Sequence, residues 1–230
     1  MDNGQKPLCR AWVIGGGRFG RKAVRRFLER GNKTDITVVE KDQEQCSCFK
    51  LLPVTCFRQD GVRFLIEQLG KGFSPDWIIP MVPFHLAFEW IKQMLSSELE
   101  LVPLTAAENI VKQFPNTIRG DKGRFFTSLA DFLCPEDCPA LDHICTVRKK
   151  ARPYLLYQKI ETEKIDGFST IVIQSQQIFP GIGGYRPEDL YHALELVKTS
   201  KGPILLSTAC KCHGVVDLFE THPYNKKAGY

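Results

Sequence analysis

Residues 13–20 read VIGGGRFG, and their neighbours on both sides decide how the chain folds. The run RAWVIG at 10–15 has the short apolar character of a buried strand. The stretch RKAVRRFLER at 21–30 places Ala23, Val24, Phe27 and Leu28 on one side of a helix and arginines on the other. Gly15, Gly17 and Gly20 therefore sit at a strand-to-helix turn with G-x-G-x-x-G spacing, the context that gives this pattern meaning. The first glycine permits the tight turn, the second lets the backbone approach a pyrophosphate, and the third lets helix and strand close on each other. The helix start then offers unpaired N–H groups and a partial positive charge to phosphate. Arg18 and Phe19 lie inside the loop and are counted with the cofactor-binding residues. The competing reading is a turn that uses its glycines for close approach alone.

Glu40 ends the next apolar run, DITVVE at 35–40. A carboxylate there accepts hydrogen bonds from both ribose hydroxyls and repels a 2′-phosphate, which favours NAD over NADP. Lys41, beside it, works against that preference.

The alternation continues outward. Strands are predicted at 53–60, 76–82 and 98–104, and helices at 62–69, 84–95 and 106–114. Strands alternating with helices imply an α/β fold with a Rossmann-type, doubly wound parallel sheet over residues 1–115. From 116 to 153 Gly, Pro, Asp and Cys accumulate, and a cysteine-rich loop or linker is expected there. A smaller α/β unit is expected over 154–230: strand at 168–178, glycine turn at 180–186, helix at 187–200, strand at 203–209. Pro187 in the first turn, with Glu188 and Asp189 beside the positive dipole end, marks that helix start.

The segments VIGGGRFGRKAVRRFLERG, ITVVEKDQE and RQDG together resemble the nucleotide-binding domain of potassium-uptake regulators, the TrkA-N or RCK type, over residues 9–115. Gly15, Gly17, Arg18 and Gly20 match that family's fingerprint, Glu40 and Asp42 its acids after strand two, and Gln59-Asp60-Gly61 loosely its element after strand three. The resemblance implies a Rossmann-type domain that binds NAD or an adenine nucleotide as a regulatory ligand, and adds Asp60 to the cofactor-binding set. It also implies a homodimer or a membrane-transporter partner. The first of these segments is also similar to the start of the NAD-dependent dehydrogenase of siroheme synthesis, which implies tetrapyrrole oxidation.

A second chemistry is written at FLCPEDCPALDHICTVRKK, residues 132–150. Cys134, Cys138 and Cys145 are spaced C-x3-C-x6-C, and TACKCHG further on supplies Cys210, Cys212 and His213. Zinc takes tetrahedral thiolate and imidazole ligands, often from short paired knuckles. An iron–sulfur cluster takes four thiolates, and the two Cys-Pro steps suit its irregular loops. The third reading is no metal: thiols that close a loop, or a redox pair. Whether Cys210 or Cys212 is the fourth ligand is open at this level. Cys46, Cys48 and Cys56 form a smaller group in which side-by-side thiols pack or face solvent.

Two further candidates are His85, after the fourth strand, as a general acid or base, and the turn at 180–189. There Gly183 and Gly184 expose N–H groups beside Arg186, as an anion site or a plain turn.

The composition is that of a soluble globular chain: 230 residues, 43% hydrophobic, 25% charged, net charge +5. That mild excess permits anionic ligands and does not argue for nucleic acid. No apolar run approaches the ~18 residues of a bilayer span, and the start lacks the layout of a secretory signal. A cytoplasmic location is expected, with the nine cysteines mostly reduced. The expected function is a nucleotide- or redox-responsive regulator that binds NAD(H) and holds a Cys-ligated metal. The alternative is an NAD-dependent oxidoreductase whose iron–sulfur cluster passes electrons.

Overall fold

A computed structural model describes residues 9–31, 34–71 and 74–224. They form two compact units. The first holds the chain up to Leu86 together with Ile182–Pro187, and the second holds Ala87–Gly181 and the residues from Glu188 onward.

In the first unit the elements follow in the order β1 (Cys9–Ile14), α1 (Arg18–Glu29), β2 (Thr34–Glu40), α2 (Gln43–Ser47), β3 (Thr55–Arg58), α3 (Gly61–Gln68) and β4 (Trp77–Pro80). The sheet order is β3-β2-β1-β4, and every pair is parallel. β1 buries four consecutive residues, Ala11, Trp12, Val13 and Ile14, as a parallel strand covered on both faces must. α1 buries Ala23, Val24 and Phe27, the apolar side read from the sequence, and leaves Arg25 exposed. Trp12 meets Phe64 of α3 edge to face at 4.9 Å, which fixes α3 against the sheet.

The remaining elements are α4 (Leu86–Leu95), β5 (Leu99–Pro103), α5 (Glu108–Val111), β6 (Ile118–Arg119), β7 (Arg124–Ser128), α6 (Leu156–Thr162), β8 (Ser169–Gln174), β9 (Gln176–Phe179), β10 (Ile182–Gly184), α7 (Pro187–Thr199), β11 (Ile204–Ala209) and β12 (His213–Pro223). The sheet of the second unit runs β6-β7-β12-β11-β8 and is mixed. β8 and β11 are parallel with α7 between them in sequence, the expected β-α-β unit. β12 is long enough for two antiparallel partners on one side, β7 along His213–Asp217 and β5 along Phe219–Pro223. The core beneath gathers Phe125, Leu156, Ile160, Leu205, Val216 and Leu218, all fully buried.

Three expectations change. The strand at 98–104 exists, but it pairs with β12 and not with the parallel sheet. Alternation of strand and helix says nothing about which sheet receives a strand, and here the pairing with the far C-terminal β12 decides it. The segment expected to be loop holds β7, where Phe125 and Thr127 face in and Phe126 faces out. Its five-residue alternation is too short to stand out between Gly123 and the cysteine-rich stretch. The helix expected at 106–114 shrinks to Glu108–Val111, since Pro115 disfavours a helical Phe114. No helix among the described residues is long and apolar enough to cross a membrane.

Candidate functional site

The glycine loop is built as its spacing requires. Gly15 has φ +107° and its N–H donates to Val39 O at 2.8 Å, so the turn is tied to β2. A Cβ on Gly20 would stand 1.9 Å from Gly15 O, so the third glycine is what lets α1 approach β1. Gly17 caps α1 without any side-chain bond. A Cβ there would meet no atom within 4 Å, so the approach to the helix start is open to a ligand backbone. The first N–H groups of a helix have no intrahelical acceptor, which leaves α1 with donors for phosphate. Arg18 and Phe19 are exposed beside this turn, the Arg18 guanidinium 5.8 Å from the Phe19 ring centroid.

Glu40 holds the loop in place. Its Oε2 accepts the Gly16 N–H at 2.7 Å and its Oε1 accepts the Asp42 N–H at 2.9 Å. One carboxylate therefore joins the glycine loop to the start of α2. Lys41 is exposed next to it. Asp60 sits at the start of α3 and accepts the Arg63 N–H at 3.0 Å, a helix cap by geometry. Asp42 caps α2 in the same way through the Gln45 N–H at 2.9 Å. Sequence reasoning missed Gly16, where a Cβ would meet the Phe49 ring at 2.9 Å, and the Arg21–Gln45 hydrogen bond that ties α1 to α2. Spacing rules weigh three of the four glycines, and Gly16 is the unweighed one.

His85 is buried, 3% exposed. Within 180–186, Ile182–Gly184 form β10 after a turn at Pro180 and Gly181, and Tyr185 exchanges two backbone hydrogen bonds with Ile78 of β4, at 2.9 and 3.0 Å. Arg186 stacks 4.5 Å over the Trp77 ring. The segment meets the first unit's parallel sheet at one bridge, Tyr185 to Ile78.

In the second unit the two cysteine segments come together. Lys211 Nζ donates to Ala140 O at 3.2 Å and also binds the Asp142 carboxylate. The Leu129 N–H donates to Cys212 O at 2.8 Å, and Arg152 Nε donates to Cys212 Sγ at 2.9 Å. Cys138 is held through its carbonyl, which accepts from Gln177 Nε2 at 2.7 Å and from the Gly181 N–H at 3.0 Å. Cys134, Cys138, Cys145, Cys210 and Cys212 are all free thiols.

Their environments differ. Burial, then the neighbouring thiols of Cys138, Cys212, Cys145 and Cys210, push the Cys134 thiol up. Burial also pushes Cys212 up, against the opposing Arg152 hydrogen bond. At Cys210 burial acts in the same direction but is outweighed. The His213 side chain and the Cys212 and His213 N–H groups bind the sulfur and hold the thiol below its ordinary range. Cys145 is held down by the backbone N–H of Arg148 and, more weakly, of Val147. As the side chains stand, no group of three or more His, Cys, Asp or Glu among the described residues is arranged to hold a metal ion. Arg152 and Lys211 are the residues that sequence reasoning missed here, and only the fold brings Arg152 to Cys212, 60 residues on, and Lys211 to Ala140, 71 residues back. Cys46 and Cys56 form a disulfide, an exception to the expected reduced thiols.

A cavity of ≈ 460 Å³ lies in the second unit beside this region, lined in part by Asn116, Phe126, Ser175, Thr208, Cys210 and His213.

A family model described as "Uncharacterized protein, C-terminal domain" (AF_1314_C) matches residues 87–222, which begins where the second unit begins and includes all five of these cysteines. An uncharacterized protein of Archaeoglobus fulgidus is 28% identical over 220 residues, covering 89% of this chain and 96% of that protein.

Proposed function

We propose, from the premise that the chain belongs to the AF_1314_C family over residues 87–222, that it is an NAD(H)-responsive regulator whose family domain follows a Rossmann-type nucleotide unit. One observation carries the reading. Gly17 opens a 12-residue helix with free space before it, while Gly15 and Gly20 are held too tightly for any other residue. The loop thus keeps clear the side a pyrophosphate would use and closes the side the fold needs. Glu40 then stands where a ribose would sit, already pinned by two N–H groups, and its charge disfavours a 2′-phosphate. The TrkA-N resemblance supports a regulatory ligand and a homodimeric or transporter-bound state; the cytoplasmic setting is the one expected from the sequence. The redox response would come from a thiolate-held metal, iron–sulfur or zinc, in the family domain.

Titration of the protein with NADH, NAD⁺ and NADPH by calorimetry tests this. NADH or NAD⁺ should bind, and NADPH should bind more weakly. Absence of binding by all three sinks the proposal.

A second reading has its own support. The cavity beside Cys210 and His213 is large enough for a small substrate, which favours an NAD-dependent oxidoreductase that uses the metal for electron transfer. Turnover of NADH with an artificial electron acceptor such as ferricyanide separates the two: a regulator binds without turnover.

A further inference from the structure

We propose that the Cys46–Cys56 disulfide is a redox lever on the nucleotide loop. Closed, it holds α2 against β3 and keeps the loop in its binding shape. Opened by a dithiol reductant, it releases α2 and weakens NAD(H) binding. This rests on the nucleotide part of the reading above, and it places a redox-responsive element in the first unit, separate from the cysteines of the second.

α2 has little else to hold it. It is five residues long, Gln43–Ser47, and none of the five is buried. A helix that short does not stand alone in water. The chain beyond it, residues 50–53, is exposed, Leu51 almost completely. Asp42 caps the helix start, and Phe49 just past its end is buried. The disulfide ties this segment covalently to the sheet. Cys56 lies on β3, the outer strand, opposite Val38 of the strand that ends in Glu40. A cross-link over a separation of ten residues removes open conformations of the segment it closes.

α2 and its flanks meet the nucleotide loop at three places. The Asp42 N–H donates to Glu40 Oε1 at 2.9 Å, on the same carboxylate that accepts from Gly16. Gln45, next to Cys46, accepts from Arg21 of α1. The Phe49 ring and the Glu40 side chain both crowd Gly16, where a Cβ would stand 2.9 Å from the ring and 3.1 Å from Glu40. A displaced α2 therefore takes with it a hydrogen bond on Glu40, a tie to α1 and the wall behind Gly16. A loop ordered in advance binds more tightly than one that must be ordered by its ligand.

The chemistry suits a switch. In the reducing setting expected from the sequence, a disulfide is more often transient and redox-sensing than structural. Cys46 and Cys56 are each only partly buried, so the bond is open to a thiol from solvent. A thiolate of the dithiol attacks one sulfur, the S–S bond breaks and a mixed disulfide forms. The second thiol of the reductant then displaces the chain sulfur. The reductant leaves as its own disulfide, having given two electrons, and its two protons pass to Cys46 and Cys56 as thiols.

The full chain is treated with oxidised glutathione or with dithiothreitol, freed of reagent without oxygen, and titrated with NADH by calorimetry. Iodoacetamide should label Cys46 and Cys56 only in the reduced form, and the free, exposed Cys48 in both. Complete labelling of Cys46 and Cys56 in both forms overturns the proposal. Reduction should weaken NADH binding by about fivefold or more and speed hydrogen exchange over residues 43–56. Equal affinity in the two forms overturns the lever. The double variant Cys46→Ser, Cys56→Ser should bind as the reduced wild type does, with or without dithiothreitol. A double variant that still responds assigns the effect to other cysteines and overturns the proposal. Cys48→Ser should respond as the wild type does; a chain that no longer responds moves the switching bond to Cys48 and overturns the pairing. Because the double variant could fail to fold, exchange in the wild type gives a second measure. Exchange over 43–49 that reduction leaves unchanged overturns the release of α2. No NADH binding by either form, with exchange still responding, overturns the nucleotide reading and the effect on binding, and supports the release of α2 alone.

Discussion

Arg124 Nε donates to both carboxylate oxygens of Asp217, at 2.9 and 3.1 Å, from β7 to β12. Its Nη2 also reaches Glu89 of α4 at 3.1 Å. Asp217 is only 2% exposed, so the Arg124 pair helps make a carboxylate tolerable there. Arg124→Met should destabilise the second unit by up to about 3–5 kcal/mol, because it takes the paired guanidinium from a buried carboxylate. Adding Asp217→Leu should recover much of that loss, since two apolar groups remove the uncompensated charge. Urea midpoints of the wild type, the single and the double variant check both statements. A single variant as stable as the wild type refutes the account.

Gly17 and Gly20 should fail in different ways. A side chain at Gly17 enters open space, so Gly17→Val should fold with a melting temperature lowered only by the poorer N-cap and lose nucleotide binding at least tenfold. At Gly20 even a methyl collides with Gly15 O, so Gly20→Ala should lower the melting temperature itself. Thermal melts with and without NADH sort the two. A Gly17→Val protein that binds NADH normally removes the phosphate from this loop.

Glu40 carries a double load, and its variants should reveal both. Glu40→Ala removes two hydrogen bonds to a charged acceptor. Such bonds contribute about 1.5–3 kcal/mol each, so the glycine loop should loosen and NADH affinity fall. Glu40→Gln keeps the shape but not the charge, and the ratio of NADH to NADPH affinity should move toward one. Calorimetric titration with both nucleotides reads this, and an unchanged ratio would show that Glu40 does not meet the ribose.

Asp60 is expected to matter for α3 and not for the nucleotide. Asp60→Ala removes the cap on the Arg63 N–H and should cost about 1 kcal/mol. NADH affinity, compared at a temperature where the variant is fully folded, should stay within a factor of two. A tenfold fall would return Asp60 to the cofactor site.

The first unit was legible because its signals are local. A strand, a glycine turn, an amphipathic helix and an acid at the end of the next strand all fall within residues 10–40, and each is decided by neighbours in sequence. The second unit is held by pairings between residues far apart. β5 belongs with β12 because Leu101 and Phe219 are buried on the same sheet, and no periodicity at 98–104 carries that information. The cysteine spacing raised metal chemistry as an expectation and left Cys210 and Cys212 equivalent. Arg152 separates them, and its role depends on a fold that brings residue 152 to residue 212. Asp60 shows the reverse case: a residue noted for resemblance whose observed work is a local cap.

Lys211 closes the cysteine-rich segment from 71 residues further along the chain, through the Ala140 carbonyl. Synthesis runs from the N-terminus, so the segment must leave the ribosome and wait until its clasp is made. During that interval three thiols of one loop are in the cell with nothing to close them. Oxidation or mispairing with the four cysteines of the first unit, Cys9, Cys46, Cys48 and Cys56, then competes with maturation. The maturation yield of this protein should therefore depend on the speed of its last strands.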